Sequence, residues 1–359
     1  MAIIHYKNKS FNVNECLKRS GEIHCNYFKN VASLIDAWNN GQKTFELKTS
    51  GSTGKPKPIV FTREQCIKSA EQTIAAFGLK KGGNFLCCLD ISFVAGFMMI
   101  IRALVAGANI YLTKAERNPF LKTAANVKFD FAAFVPYQLQ CIIEETPENI
   151  VRLNGMKAII IGGGAISIRN MELFQQIQSP VFHTYGMTET LTHVALKRIN
   201  SKNPESSFKA LPGVSFSKDS RDCLVIKTPI LKEEIETNDI VNLISDTEFE
   251  YLGRIDHVIN SGGYKIHPQL VEQKIEAVIN DIFQTANYFI FAADDVKFGQ
   301  HAELMIEAET EQSKINRLKE ELKILLNPYE VPKAIHFCRK FVLTRTGKVD
   351  RRRTHGSKS

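Results

Sequence analysis

Two hydrophobic rhythms alternate along this chain. Short, nearly unbroken apolar runs at 85–89, 131–135 and 158–161 predict strands buried on both faces, and 45–48 and 109–112 predict two more. Between them, apolar residues recur at helical spacing over 62–77, 93–106 and 137–144. Strands alternating with helices predict an α/β core with mostly parallel strands. Segments 224–227 and 240–244 predict a smaller β region. Beyond Gly253 the pattern changes to helix 268–278, strands 288–292 and 302–307, and helix 311–326, which fits a small α+β unit. A boundary is expected at 254–256, giving domains 1–255 and 256–359; residues 1–45 read only as short mixed segments.

Composition narrows the class. With 359 residues, 44% hydrophobic and 23% charged, the chain can bury a core and is not of the disordered type. The apolar run 91–101, bracketed by Asp90 and Arg102, is too short to cross a bilayer and reads as a buried helix. The first residues lack the apolar stretch of a signal peptide, and the eight cysteines show no CxxC pair. Reduced thiols and a cytoplasmic location are expected, with no membrane insertion. The net charge of +8 comes mostly from 339–359, which alone carries +7. No recognition-helix or aromatic RNA-binding signature accompanies that tail, so a polyanionic cofactor is a better match than nucleic acid.

Five segments carry candidate chemistry. The first is Thr49, Ser50, Gly51, Ser52, Thr53, Gly54 and Lys55, in which hydroxyls alternate with glycines before a lysine. Its N–H, hydroxyl and ammonium donors can hold the β- and γ-phosphates of a nucleotide. It lacks Walker spacing, and by itself such a run is more commonly a surface turn. The second, Gly162, Gly163, Gly164 and Ala165, follows an apolar strand and allows a flat ring to lie against backbone, although taken alone a tight turn explains it better. The third joins Tyr185, Gly186, Met187, Thr188, Glu189 and Thr190: a stacking ring, a close-approach glycine, a phosphate donor and a hard oxygen ligand for Mg²⁺. The fourth comprises Asp239, whose carboxylate can take ribose hydroxyls, Arg254, Asp256, and the Gly262, Gly263, Tyr264 run. The fifth is Lys348, in a glycine-hinged turn near the C-terminus.

In this order the five segments resemble the adenylate-forming superfamily of acyl-CoA synthetases, luciferases and peptide-synthetase adenylation domains. The resemblance runs from about residue 45 to the end. It implies a large core domain with a truncated N-terminal part, and a small mobile α+β C-terminal domain. It implies that 49–55 is the phosphate loop. Gly163, Gly164 and Ala165 become the adenine and acyl wall, Tyr185, Gly186 and Met187 the adenine site, Thr188 the α-phosphate donor and Glu189 the metal ligand. Asp239 and Arg254 would bind ribose or phosphate, Asp256 would be the hinge, and Gly262, Gly263 and Tyr264 would line the coenzyme A tunnel. Lys348 would catalyse adenylation, so Lys348, Thr188 and Glu189 form the catalytic set. ATP, Mg²⁺, coenzyme A and a small carboxylic acid are the implied cofactors and partners, and a homodimer is compatible.

Within the superfamily, the run Val135, Pro136, Tyr137, Gln138, Leu139, Gln140 resembles the VPTQLQ of o-succinylbenzoate–CoA ligases, and 185–190 matches their YGMTET. Phe93 stands where many relatives carry a histidine, three residues before Gly96. The acyl pocket is therefore expected from Phe93, Gly164 and His183, with His193 the other histidine to consider. Three alternatives stay open: a ligase for another acyl or aryl acid, an amino-acid adenylating enzyme using Asp90, and a non-catalytic nucleotide binder.

Overall fold

The computed structural model describes residues 2–7, 9–48, 57–284, 287–309, 311–342 and 349–356. The expected phosphate loop, 49–55, and Lys348 lie outside the described residues. Contacts divide the chain into two compact units. The first holds Met1–Ile166, Asn170–Ser215 and Ile226–Ile235; the second holds Ser167–Arg169, Phe216–Val225 and Glu236–Ser359.

The first unit is a layered α/β body. Its strands are β1 (Ile3–Tyr6), β2 (Lys9–Asn12), β3 (Thr44–Lys48), β4 (Pro58–Thr62), β5 (Asn84–Cys87), β6 (Asn109–Leu112), β7 (Phe131–Phe134), β8 (Ala158–Ile161), β9 (Val181–Gly186), β10 (His193–Arg198) and β11 (Phe208–Ala210). Its helices are α1 (Asn26–Asn39), α2 (Arg63–Ala76), α3 (Val94–Ala106), α4 (Pro136–Glu145) and α5 (Ile150–Leu153); α6 (Ile168–Phe174) follows β8. The main sheet runs β2-β1-β6-β5-β7-β8-β9-β10-β11, and β3 pairs with β4 as a separate hairpin. Pairings from β1 through β9 are parallel, whereas β2, β10 and β11 join antiparallel. From β5 the chain first builds β6 on one side and then β7 on the other. In open α/β sheets such a strand-order reversal marks where ligands bind, outside the carboxyl ends of the strands.

Both sheet faces are covered, which explains the unbroken apolar strands. Phe85, Cys87, Ala158 and Ile160 face a core shared with α1 and α3, while Leu86, Cys88, Ile159 and Ile161 face a second core with Leu139 and Ile142 of α4. Thr62 caps α2 by accepting from the Gln65 N–H, while Gln65 bonds back to the Thr62 N–H. Helix α3 ends at Gly107 in the left-handed region.

Residues 1–45 are more ordered than their mixed composition suggests. Phe28, Val31, Ala32, Ile35 and Trp38 form a buried stripe along α1, and β1 adds parallel to β6. The strands β9 and β10 were also not predicted, because their half-buried residues lack a clean alternation.

In the second unit β12 (Ser215–Lys218) and β13 (Cys223–Lys227) precede the hairpin of β14 (Ile235–Ser245) and β15 (Glu248–Arg254). A separate sheet follows, with β16 (Ile259–Ser261), β17 (Tyr264–Ile266), β18 (Tyr288–Asp295), β19 (Gly299–Glu307) and β20 (Ala334–Cys338). Helices α7 (Pro268–Phe283) and α8 (Gln312–Leu325) cover it through Val271, Ile275, Ile279, Leu318 and Leu322, and α9 (Arg351–Gly356) ends the described chain. Helix α7 outruns its predicted end because Ile279 and Ile282 continue the buried stripe. No helix among the described residues is long and apolar enough to cross a membrane.

Candidate active site

The carboxyl ends of β5, β7, β8 and β9 bring most first-unit candidates together. Ile161 at the end of β8 pairs with His183 of β9, so the 162–165 turn lies beside the strand leading into Tyr185. Thr184 donates through Oγ1 to the Ile161 carbonyl at 3.1 Å. A Cβ on Gly162 would stand 2.7 Å from Thr184 Oγ1, so a side chain there would force the Thr184 hydroxyl to move. Gly163 sits at φ +82°, near Val135, the residue that follows β7 and caps α4. A Cβ on Gly164 would meet nothing within 4 Å, which leaves open space on one side of the turn. His183 lies between this turn and β10. Burial and Lys197 push its imidazole down to about 3, against a hydrogen bond to Gly164 backbone that works the other way. His183 is therefore neutral across the physiological range. The Tyr185 ring, half-buried, tilts against Phe208 at 5.8 Å.

Residues 187–192 form a tightly tied loop. The buried Thr190 hydroxyl accepts from the Met187 N–H at 3.0 Å and lies 2.9 and 2.7 Å from the Met187 and Thr192 carbonyls. Leu191, fully buried, adopts φ +63° and donates its N–H to the Thr188 carbonyl. A Cβ on Gly186 would stand 2.4 Å from the Thr192 carbonyl oxygen and 2.6 Å from His193 Cα, so β9 closes against β10 only with glycine there. The loop leaves Glu189 exposed beside the buried Thr188. An exposed carboxylate suits a Mg²⁺ ion that keeps waters and phosphate oxygens as its other ligands. A closed protein cage is not built: no group of three or more His, Cys, Asp or Glu among the described residues could hold a metal.

Beneath this loop lies a residue that sequence reading treated only as a flank. Arg102 of α3 is 3% exposed, surrounded by apolar neighbours. Its Nη2 donates to Thr192 Oγ1 at 2.5 Å and its Nε to Thr73 Oγ1 at 3.1 Å, with His193 Nδ1 3.4 Å away. No carboxylate faces it among the described residues, and burial pushes its guanidinium down to about 10. Burial and Arg102 together push His193 well below its ordinary value. A neutral His193 can accept at Nδ1 and present Nε2 to Thr73, 3.4 Å away. A charged residue inside the apolar spacing of 93–106 was the available signal.

The remaining sequence candidates are placed as follows. Phe93 caps α3 and is half-buried beside the carboxyl end of β5. Asp90 is exposed, and its Oδ1 accepts from both the N–H and the hydroxyl of Ser92, at 2.9 and 2.8 Å. The amino-acid reading of Asp90 thus meets a carboxylate already used in its own turn. A Cβ on Gly96 would stand 2.2 Å from the Asp90 carbonyl oxygen, which explains that glycine by packing. Gln138, from the VPYQLQ run, is 4% exposed and ties strand ends together: it bonds the Val135 N–H and the Cys88 and Glu116 carbonyls.

In the second unit Asp239 of β14 lies opposite Arg254 of β15. Asp239 is 7% exposed, and Arg254 Nη1 approaches its carboxylate at 3.7 Å. Arg254 also forks onto Asp256 with two 2.8 Å bonds, which holds the Asp256 carboxyl below its ordinary range. Gly262, at φ +57°, abuts Phe298, and Gly263, at φ +87°, faces open space. Tyr264 is exposed and stacks on Tyr329 with ring centroids 3.9 Å apart.

Comparison with known proteins gives the family of the chain. The family model described as AMP-binding enzyme matches residues 47–217. A solved structure of an acyl-CoA synthetase (AMP-forming)/AMP-acid ligase II-like protein from Dyadobacter fermentans is 35% identical, with TM-score 0.61, covering 94% of this chain and 96% of that one. The chain belongs to the AMP-binding family of adenylate-forming enzymes. It is also similar to 2-succinylbenzoate–CoA ligase of Lactococcus lactis, 27% identical over 332 residues, covering 86% of this chain and 70% of the relative. O-succinylbenzoate coenzyme A synthetase (MenE) from Bacillus subtilis, solved with ATP and magnesium ion, shares the fold, with TM-score 0.72 and 20% identity over 86% of this chain and 69% of its own.

Proposed function

We propose that this enzyme is an AMP-forming acid–thiol ligase that converts o-succinylbenzoate to its coenzyme A thioester through an acyl-adenylate. A free carboxylate has no leaving group, and joining it to AMP supplies one. The carboxylate attacks the α-phosphorus of ATP, pyrophosphate departs, and the thiol of coenzyme A then displaces AMP. Thr188 donates to the α-phosphate, Tyr185 takes the adenine, and the 162–165 turn lies against it. Asp239 and Arg254 take the ribose side, the 49–55 loop the outer phosphates, and Lys348 the developing carboxylate–phosphate bond. Glu189 would hold Mg²⁺, which neutralises phosphate charge when bound. The small C-terminal domain then turns about Asp256, withdrawing Lys348 and bringing Gly262, Gly263 and Tyr264 to the thiol.

One observation carries the choice of a dicarboxylic acid. Arg102 is a buried guanidinium that no carboxylate faces among the described residues, bonded directly to Thr192 of the 187–192 loop. A second carboxylate entering an apolar site needs a cation, since burying it unpaired is prohibitive. Relatives carrying the o-succinylbenzoate name support the same substrate. The test is incubation with Mg-ATP, coenzyme A and each of o-succinylbenzoate, benzoate and a long-chain fatty acid. AMP, pyrophosphate and the o-succinylbenzoyl thioester are expected, with kcat/KM highest for o-succinylbenzoate. Formation of ADP and phosphate would exclude an adenylate, and a clear preference for either monocarboxylate would overturn the substrate.

A further inference from the structure

The segment that follows Lys348 is fastened to the rest of the second unit by a small, partly buried assembly. Arg351 reaches across to α7, with Nη1 2.9 Å from Glu272 Oε1 and Nη2 3.0 Å from Glu272 Oε2. The same Nη1 lies 3.3 Å from the Ile290 carbonyl of β18, and the guanidinium covers the Phe289 ring at 5.4 Å. Glu272 is fixed from the other side by the Ile290 N–H at 2.8 Å. Around this fork the chain closes on itself. Thr354, 1% exposed, accepts the Val342 N–H at 3.1 Å, and the Asp350 N–H donates to the Val342 carbonyl at 2.8 Å. Val342 and Asp350 therefore form the two ends of a closed stem. One residue, Val349, separates Asp350 from Lys348, so two Cα-to-Cα steps spanning at most about 7 Å join them.

We infer that Arg351, forked onto Glu272, is a positioning residue for adenylation: it holds the stem from which Lys348 acts. The inference rests on the adenylation role proposed for Lys348. An Arg–carboxylate fork held by two further backbone bonds fixes direction as well as distance. A transferring phosphoryl group rewards that, since a misplacement of about 1 Å can lower a rate about 10²-fold. Arg351 touches no reacting atom in this scheme, so its loss should lower kcat of adenylation while leaving the KM for ATP near its starting value. Thioester formation from pre-made acyl-adenylate should be spared, because Lys348 takes no part in it.

The test uses the full chain and four variants: Arg351→Met, the double variant Arg351→Gln with Glu272→Gln, Lys348→Ala, and Arg351→Met combined with Lys348→Ala. The paired glutamines remove both charges together and keep the fold if a lone buried carboxylate does not. Hydrogen exchange at the Val342 and Asp350 amides is read first, without substrate, and should quicken in all three variants that change Arg351. Adenylation is then followed by pyrophosphate release with o-succinylbenzoate, or with whichever acid the three-acid comparison selects. A fall of about 10- to 100-fold is expected in adenylation kcat, against less than about twofold in thioester formation. In the Lys348→Ala background, Arg351→Met should lower adenylation no further, as expected when one residue acts through the other. Unchanged exchange, equal loss in both half-reactions, or additive losses would each overturn the inference. If Lys348→Ala itself adenylates normally, the parent reading of Lys348 fails. If Lys348→Ala fails but Arg351→Met adenylates normally, only the positioning role fails.

Discussion

Arg102→Met separates what a buried guanidinium does for the fold from what it does for the substrate. The side chain is 3% exposed and makes two firm hydrogen bonds, to Thr192 and Thr73. Hydrogen bonds to a charged group are worth about 1.5–3 kcal/mol each, so deleting them removes about 3–6 kcal/mol. The deletion also abolishes the penalty for burying an unpaired ion, which is again several kcal/mol. Methionine fills similar volume with an apolar, adaptable chain. These terms oppose one another, and net stability should shift by no more than about 2 kcal/mol. The substrate has no such compensation. A second carboxylate left without its cation loses about 3–5 kcal/mol, or between about 10²- and 10⁴-fold in kcat/KM. The assay is pyrophosphate release with o-succinylbenzoate and with benzoate, alongside urea unfolding followed by Trp38, the only tryptophan, which sits in the first unit. The loss should be confined to the dicarboxylic acid, with benzoate changing less than about threefold. Equal loss for both acids would refute the pairing and return Arg102 to a structural role beneath the 187–192 loop.

Three further outcomes follow from the same geometry. Gly186→Ala would drive a Cβ to 2.4 Å from the Thr192 carbonyl oxygen; stability should fall by about 1–3 kcal/mol and adenylation with it, as read by urea unfolding and pyrophosphate release. Gly164→Ala meets open space, so stability should hold within about 0.5 kcal/mol while KM for the acid rises; unchanged KM would remove Gly164 from the acyl wall. His183 and His193 are both held neutral, by burial first. The unfolded chain binds protons there that the fold does not, so stability is full above about pH 6.5 and is lost as pH falls below it, at up to about 1.4 kcal/mol per pH unit for each histidine. His183→Gln should reduce that slope, measured by Trp38 fluorescence in urea between pH 7.5 and 5.5; an unaltered slope would show that His183 titrates normally in the fold.

Much of the architecture was legible from local pattern. Helices α2, α3 and α8 lie within a residue or two of their predicted limits: α2 and α8 bury one stripe of a regular repeat, and α3 is an apolar helix buried all round from Gly96 to Ala103 that stops at Gly107. Strands β7 and β8 were equally plain, since burial on both faces leaves an unbroken apolar run. The order of the five chemical segments is likewise a property of the chain alone, and it led to the family that comparison then established.

What the sequence could not state is which segments become neighbours. Gly162 and Thr184 are far apart along the chain, and only the parallel pairing of β8 with β9 brings a Cβ at the one within 2.7 Å of the hydroxyl of the other. Gly186 and Gly96 are ordinary turn or helix glycines until opposing backbone closes to within 2.4 and 2.2 Å of where a side chain would begin. Thr190 read as one more polar residue of a motif, yet its buried hydroxyl ties the loop that presents Glu189. Arg102 looked like the charged edge of an apolar run; packing of α3 against α2 and the 187–193 segment turned it into a buried cation. Periodicity records which face of an element leaves water. Strand order, register and helix packing decide what that face then meets, and those depend on residues tens of positions away, whose contacts leave no local mark.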